Sequence, residues 1–247
     1  MCRTVLEPYN VCMLSGSTRR ETFDVAVVGG GSAGVAASVA AARQGAKTVL
    51  IERYGFLGGA ATQSMVLTYD GFFYRRPQAQ WAVGGIGREL IDSLTHFGSP
   101  TQAKLSVNGN WILPYAPEAS KAALDRLVLQ AQVQCRLHAL LVDVRAQNNK
   151  LQALVVRDHQ GLFEIQAHSF IDASGDADLC ELAGVPMCFT DEPRFAASIC
   201  TRISGITPIV KADRQLLQRV VTALPPSYGT AHLRSQGGFT LEIPSSP

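Results

Sequence analysis

The sequence predicts an α/β protein built around a parallel β-sheet, and three observations carry this prediction. An apolar run, a glycine-rich turn, an Ala-rich segment and a second apolar run follow one another over residues 23–52. Short apolar segments separated by turn residues occupy 134–165. A further apolar run at 170–171 leads through Asp172 into Ala-Ser-Gly. Strands that alternate with helical segments are typical of parallel sheets covered by helices.

The first turn has the spacing of a Rossmann-like dinucleotide-binding motif, Gly29-x-Gly31-x-x-Gly34. The first glycine permits a tight turn, the second lets a pyrophosphate approach the backbone, and the third lets the helix pack closely on the strand. Open N–H groups at the helix start then face the phosphates. The candidate phosphate-binding residues are therefore Gly29, Gly31, Ser32, Ala33 and Gly34.

The acid that follows the second strand supports the same interpretation. The helix is predicted to end at Gly45, and a strand over Thr48 to Ile51 ends in Glu52. Glu52 lies 23 residues after Gly29, close to the offset of about 20 expected for an acid that binds a ribose hydroxyl. The alternative is a glycine turn in an ordinary βαβ unit. Arg53 could pair with a 2′-phosphate of NADP, but the carboxylate of Glu52 would repel that phosphate.

A second glycine-rich loop follows directly and reads Arg53-Tyr-Gly-Phe-Leu-Gly58-Gly59-Ala-Ala61-Thr62. NAD binding does not need such a loop. Together with the preceding motif, this segment resembles FAD-dependent oxidoreductases of the glutathione-reductase-like fold. It is most similar to a bacterial family that carries ER-x-GFLGG-x-AT after the dinucleotide motif. The resemblance implies FAD as the cofactor and places Gly58, Gly59, Ala61 and Thr62 beside the flavin; the alternative is a flexible surface loop.

A third match lies downstream, where the chain reads Asp172-Ala-Ser174-Gly175-Asp176-Ala-Asp-Leu179. The resembled family carries Asp-Ala-Thr-Gly-Asp where its chain returns to the FAD domain. Ser174 replaces the usual Thr and keeps the hydroxyl. The resemblance implies that Ser174, Gly175 and Asp176 bind FAD. Asp176 is equally compatible with an N-cap of the short helix predicted through Leu179 to Ala183.

The region after Pro117 is predicted to form a helix, a strand and a β-meander. The resembled fold uses such a meander as the crossover between parallel strands. It also implies that the strand near Ala139 to Val142 offers main-chain groups to the adenine, which makes Val142 a candidate. The predicted elements are a helix over Glu118–Val128, a strand over Gln134–His138, and meander strands over Leu140–Arg145, Leu151–Arg157 and Leu162–Ile165.

The domain organisation follows from these segments. Residues 22–62 and 117–186 form a discontinuous FAD-binding domain. Two further stretches, 63–116 and 187–247, are substrate-side segments of a partial substrate domain. The first is irregular apart from a helix over Ile86–Phe97. The second has a strand starting near Cys200 and a helix over Ala212–Leu224. Residues 1–21 are expected to be a disordered extension.

No second glycine-to-helix segment follows Pro186. We therefore expect the second substrate-side segment to be truncated, with the remainder on a partner subunit, lost by a frameshift, or in a longer form of the protein.

Composition limits the functional classes. The chain has 247 residues, a net charge of +2, 47% hydrophobic and 17% charged residues, which is typical of a soluble globular protein with neither a nucleic-acid nor a membrane partner. The longest Ala-rich stretch is too short to span a bilayer. The six cysteines form no CxxC pair, so we expect reduced thiols, no metal site and a cytoplasmic location. The N-terminus does not have the pattern of a secretory signal.

The sequence therefore predicts an FAD-dependent oxidoreductase that acts on an unidentified small molecule. It identifies no catalytic acid or base. Arg75-Arg76 could bind an anionic substrate, although an exposed loop pair is the simpler interpretation. The alternative function is a non-enzymatic scaffold with this fold, or an inactive fragment that needs a partner chain.

Overall fold

The structure is a computed structural model that describes residues 19–99, 101–106 and 108–188, together with strands at 197–200, 230–233 and 239–243. The disorder expected for residues 1–18, the continuation of the strand after Cys200 and the helix expected over Ala212–Leu224 lie outside the described residues. In chain order the elements are β1 (Arg19–Val28), α1 (Ser32–Arg43), β2 (Thr48–Ile51), a 3-10 turn (Gly59–Ala61), β3 (Thr68–Asp70), α2 (Gly85–His96), β4 (Lys104–Leu105), β5 (Trp111–Pro114), α3 (Pro117–Gln130), β6 (Gln134–Arg136), β7 (Leu140–Gln147), β8 (Lys150–Asp158), β9 (Gly161–Asp172), α4 (Asp178–Leu182), β10 (Ala197–Cys200), β11 (Thr230–Leu233) and β12 (Phe239–Ile243).

The central sheet has six strands in the order β6-β2-β1-β9-β8-β7. The neighbours β6, β2, β1 and β9 run parallel, whereas β8 is antiparallel to both β9 and β7. This confirms the predicted α/β class with a Rossmann-like parallel core. Because parallel strands need long connections, α1 joins β1 to β2, and the β7–β8–β9 meander returns the chain beside β1.

Side-chain alternation along the strands gives the sheet two buried faces. Val27 and Leu50 point into one cluster with residues of α1, α2 and α3. Val28 and Ile51 point into another, which contains meander residues and Leu179 of α4. Both faces are covered, as expected for apolar parallel strands that lack polar alternation.

Strand β9 differs from the sequence prediction. The third meander strand and the apolar run before Ala-Ser-Gly were expected as separate segments, but they form one continuous strand, Gly161–Asp172. Its first half pairs with β8, and most of its length pairs with β1. A single strand can therefore close the meander and carry the chain to the end of the parallel sheet.

The N-terminal boundary also differs, because β1 begins at Arg19 rather than after residue 21. Arg19 and Arg20 extend the pairing with β9. Their side chains are held by Asp158 at 2.6 Å and Glu164 at 3.0 Å. Cross-strand ion pairs thus explain why a polar sequence continues the strand.

The segment 63–116 is more regular than predicted. It contains α2 and a three-stranded antiparallel sheet in the order β3-β5-β4. After the helix expected over Ala212–Leu224, where no strand was predicted, β11 and β12 pair with each other, and β12 also pairs with β10. Short strands interrupted by glycines show too little alternation of apolar and polar residues to be predicted from sequence. This explains why the strands in both segments were not predicted.

Candidate functional site

A cleft of about 520 Å³ opens where β1, β2 and β9 end. This is the carboxyl edge of the parallel strands, the usual ligand site of open α/β sheets. The volume falls within the range of small-molecule and cofactor sites. Its lining residues come from the loops after these strands, from the first turn of α1 and from the start of β7.

The first glycine loop (residues 29–34) forms one wall, and its glycines differ in environment. Gly29 has φ +99°, and an added Cβ would lie 2.2 Å from the carbonyl oxygen of Ala173. A Cβ on Gly34 would lie 1.8 Å from the carbonyl oxygen of Gly29. A Cβ on Gly31 would meet nothing within 4 Å. Gly29 and Gly34 are therefore required by packing, whereas Gly31 faces open space in the cleft.

The start of α1 can hold an anion. Gly31 is the N-cap residue, and no side chain caps the helix. The first turn also contains no acidic residue. The first N–H groups of a helix have no acceptor within the helix, so they and the positive end of the helix dipole lie beside Gly31, where Ser32 and Ala33 line the cleft.

Glu52 connects the first glycine loop to the segment after β2 and is only 5% exposed. Its Oε2 accepts a hydrogen bond from the N–H of Gly30 at 2.6 Å. Its Oε1 accepts one from the N–H of Tyr54 at 2.8 Å. Because each carboxylate oxygen can accept more than one hydrogen bond, Glu52 can also accept from a ribose hydroxyl in the cleft.

The second glycine loop (residues 57–64) packs directly on the first. The N–H of Gly58 donates to the carbonyl of Gly30 at 2.8 Å. A Cβ on Gly59 would come within 3.1 Å of the Cα of Gly31. Thr62 is 2% exposed and donates to the carbonyl of Leu57 at 2.7 Å. The loop is thus held from inside by Thr62, while its glycines face the cleft.

The third wall is the loop after β9, and Asp172 organises it. Its Oδ1 accepts from the N–H and the hydroxyl of Ser174, at 3.0 and 2.6 Å. Its Oδ2 accepts from the N–H of Cys180 at 2.9 Å. Burial alone would raise the pKa of Asp172, but these hydrogen bonds outweigh burial and hold the pKa below its ordinary value. Asp172 was not among the predicted site residues, although an Asp two residues before a Ser is a recognisable turn signal.

The capping role considered for Asp176 is wrong. The N-cap residue of α4 is Ala177, which has φ +62° and makes no side-chain cap. The hydroxyl of Ser174 instead accepts from the N–H of Asp178 at 2.9 Å. Asp176 lines the cleft.

The far end of the cleft is formed by Ala139, Leu140 and Leu141, next to Glu52. The predicted Val142 does not line it. The pairing of β7 with β8 shifts register between Leu141 and Asp143, which leaves Val142 at a bulge. A bulge redirects the neighbouring side chains and main-chain groups, so the part of the chain that lines the cleft here ends at Leu141.

The predicted residues thus divide into two groups. Those that line the cleft are Gly29, Gly31, Ser32, Ala33, Glu52, Arg53, Gly58, Gly59, Ser174, Gly175 and Asp176. Those that do not are Gly34, Ala61, Thr62 and Val142. Tyr54, Gln63 and Ser64 also line the cleft, although none of them was predicted as a site residue. Arg53 and Asp178 approach each other to 3.9 Å with half-exposed side chains, a weak pair.

Other candidate features lie away from this cleft. Arg75 donates to the carbonyl of Asn108 at 3.0 Å, and Arg76 donates to the side chain of Gln80 at 2.7 Å. Neither arginine lines the cleft. In the described part of the chain, no three metal-ligating side chains cluster. None of the described helices is both long and apolar enough to cross a membrane.

Comparison with known proteins gives similarities over parts of the chain. A solved flavoprotein/dehydrogenase from Cytophaga hutchinsonii superposes with a TM-score of 0.50 at 19% identity, and the match covers 72% of this chain and 44% of that one. This likeness shows the fold. A probable mitochondrial glycerol-3-phosphate dehydrogenase from Caenorhabditis elegans is 27% identical over 124 residues, which is 44% of this chain and 17% of that protein. An aerobic glycerol-3-phosphate dehydrogenase from Staphylococcus saprophyticus is 27% identical over 125 residues, 48% of this chain and 22% of its own length.

The family comparison covers most of the chain. Residues 24–236 match the model of the family described as FAD dependent oxidoreductase. The matched range includes the first glycine loop, Glu52, the second glycine loop and the loop after β9. The chain therefore belongs to the FAD-dependent oxidoreductases, and its cofactor is FAD.

Proposed function

We propose that FAD lies along this cleft, with its pyrophosphate over Gly31 at the start of α1, its adenosine ribose at Glu52 and its flavin beside Gly58 and Gly59. The observation that carries the proposal is the open space at Gly31, where a side chain would meet no protein atom. The packed Gly29 and Gly34 on either side have no such space. A glycine that packing does not require is consistent with a ligand that must approach the backbone closely.

The reaction proposed is the oxidation of a small molecule, with electrons passing to the flavin that FAD supplies when bound. The curated relatives, whose names are those of glycerol-3-phosphate dehydrogenases, favour a dehydrogenation. The residues of this chain bind and orient the cofactor. They also exclude water from the adenosine end, where Glu52 is buried.

Cofactor identity and position can be tested on the purified chain. We expect the released ligand to be FAD, and we expect titration of ligand-free protein with FAD to produce a bound-flavin absorption spectrum. NAD should not compete at equal concentration. Recovery of NAD alone, or unchanged FAD binding after Gly31→Val in a folded protein, would contradict the proposal.

A further inference from the structure

Tyr115 holds the second glycine loop from behind the cleft. It follows β5 and is 5% exposed. Its hydroxyl lies 2.9 Å from the carbonyl oxygen of Ala61, and the carbonyl of Val66 is also within hydrogen-bonding distance. Its N–H donates to Leu67 at 3.2 Å. The end of the loop is therefore attached to the segment that precedes α3.

Tyr69 of β3 packs on Tyr115 and joins it to α3. Its ring stacks on that of Tyr115, with centroids 4.4 Å apart. Its hydroxyl is 3.0 Å from that of Ser120, a fully buried residue of α3. The two rings thus connect the second glycine loop to α3.

The second glycine loop needs an external support because of its own backbone. Gly58 has φ +119° and Gly59 has φ +51°, and glycine has more conformational freedom to lose on ordering than other residues. The side chain of Thr62 braces the loop from within. The hydroxyl of Tyr115 adds a contact from a different element, which connects the loop to the rest of the fold.

We propose that Tyr69 and Tyr115 form a support pair that positions the second glycine loop for FAD. The Tyr115 hydroxyl holds this loop, and Tyr69 holds the Tyr115 ring against α3. Neither tyrosine lines the cleft, so both are positioning residues. The inference rests on the proposed function, because it assumes that FAD occupies the cleft beside this loop. It assigns a cofactor-positioning role to the segment 63–116, which the sequence analysis placed on the substrate side.

The test compares FAD with ADP, which contains the pyrophosphate and adenosine half only. We expect Tyr115→Phe, which keeps the stacked ring and removes the hydroxyl, to weaken FAD binding about tenfold, the loss expected for one hydrogen bond. ADP affinity should change less than twofold. Tyr69→Phe, which keeps the stacked ring and removes the contact with Ser120, should weaken FAD binding and change ADP affinity less than twofold. The visible circular dichroism of bound flavin should change in Tyr115→Phe.

Ile165→Val is the matched control. Ile165 is fully buried on β9, in the cluster on the other face of the sheet, which contains no residue of either glycine loop. This variant should lower stability and leave both affinities and the flavin spectrum unchanged. Equal losses of FAD and ADP in Tyr115→Phe, or no loss of either, would overturn the support pair and leave the proposed function intact. A wild-type chain that binds neither ligand would overturn both.

Discussion

The three glycines of the first glycine loop are present for different physical reasons, and this difference is visible only at the scale of single residues. Gly29 and Gly34 have backbone atoms where a Cβ would lie, whereas Gly31 has none. Gly31 also has φ −69°, a value that any residue adopts without strain. Neither packing nor backbone conformation therefore requires glycine at position 31, and the proposed pyrophosphate supplies the reason for it.

Substitutions at two of these glycines should therefore separate binding from folding. Gly31→Val should abolish FAD binding and lower the melting temperature little. Gly34→Ala places a Cβ 1.8 Å from the carbonyl oxygen of Gly29, so it should destabilise the fold by several kcal/mol through overpacking. Far-UV circular dichroism with thermal unfolding, followed by FAD titration, distinguishes the two. A Gly31→Val protein that unfolds like Gly34→Ala would argue against the open space.

Glu52 has a binding role and a structural role at once. Glu52→Gln should weaken FAD binding by about 1.5–3 kcal/mol, the value of a hydrogen bond to a charged group. It should also lower stability, because an amide nitrogen cannot accept the backbone hydrogen bond that one carboxylate oxygen now accepts.

The matched control for this change is Glu89→Gln, at the exposed Arg43 ion pair. It should change stability by about 0–1 kcal/mol and leave FAD binding unaffected. Calorimetric titration and thermal unfolding of both variants measure the two effects. A Glu52→Gln protein with wild-type affinity would remove Glu52 from the site.

At the scale of elements, the loop between β9 and α4 depends on one carboxylate. Asp172 connects the end of the sheet to Ser174 and Cys180. Ser174 then accepts from the N–H of Asp178, so the start of α4 is held by the same network. Since four residues of this loop line the cleft, its shape and the shape of the site are set together.

The network predicts a pH dependence. The folded protein holds the pKa of Asp172 below its ordinary value, so the carboxylate stabilises the fold above the unfolded pKa of about 3.9 and this contribution is lost as pH falls through the folded pKa. Asp172→Asn should cost about 1–3 kcal/mol near neutral pH. The difference in unfolding free energy between the variant and the wild type should shrink below about pH 4.

Two substitutions of Ser174 test whether the same network shapes the FAD site. Ser174→Thr keeps the hydroxyl and should retain FAD affinity, whereas Ser174→Ala removes the hydroxyl and should lose part of that affinity. Asp92→Asn, at an exposed ion pair on α2, is the control for removing a carboxylate. If the unfolding free energies of Asp172→Asn and the wild type differ by the same amount at every pH, the charge of Asp172 is not the source of its stabilising effect.

At the scale of the whole molecule, the cleft joins parts of the chain that are distant in sequence. Residues from the ends of β1, β2 and β9 and from the starts of α1 and β7 all line it. A ligand that contacts all of them binds only the folded protein. FAD at 100 times its dissociation constant should then stabilise the fold by about 2.7 kcal/mol.

For a chain of this size, that stabilisation corresponds to a rise in melting temperature of about 5–10 °C. Differential scanning calorimetry with increasing FAD measures it. Gly31→Val should show no rise. A wild-type melting temperature that does not depend on FAD concentration would contradict binding in the cleft.

Local sequence patterns determined much of this protein. The glycine spacing, the helix that ends before Gly45, the strand before Glu52 and the alternation within the meander each depend on neighbours in the chain, and the structure contains each of these elements. The α/β class follows from them, whereas FAD was implied by the resemblance of the second glycine-rich segment to FAD-dependent oxidoreductases. Local rules suffice here because strand period, helix period and turn chemistry act over a few residues.

Tertiary structure decided the rest. The bulge that moves the β7 contribution from Val142 to Leu141 depends on pairing with β8. The burial of Thr62, the attachment of Ala61 to Tyr115 and the packing of Gly58 on Gly30 join segments that no sequence spacing relates. Asp172 acts on Cys180 only because α4 turns back over the end of β9. These features depend on contacts between distant residues, whose geometry is set by the packing of whole elements.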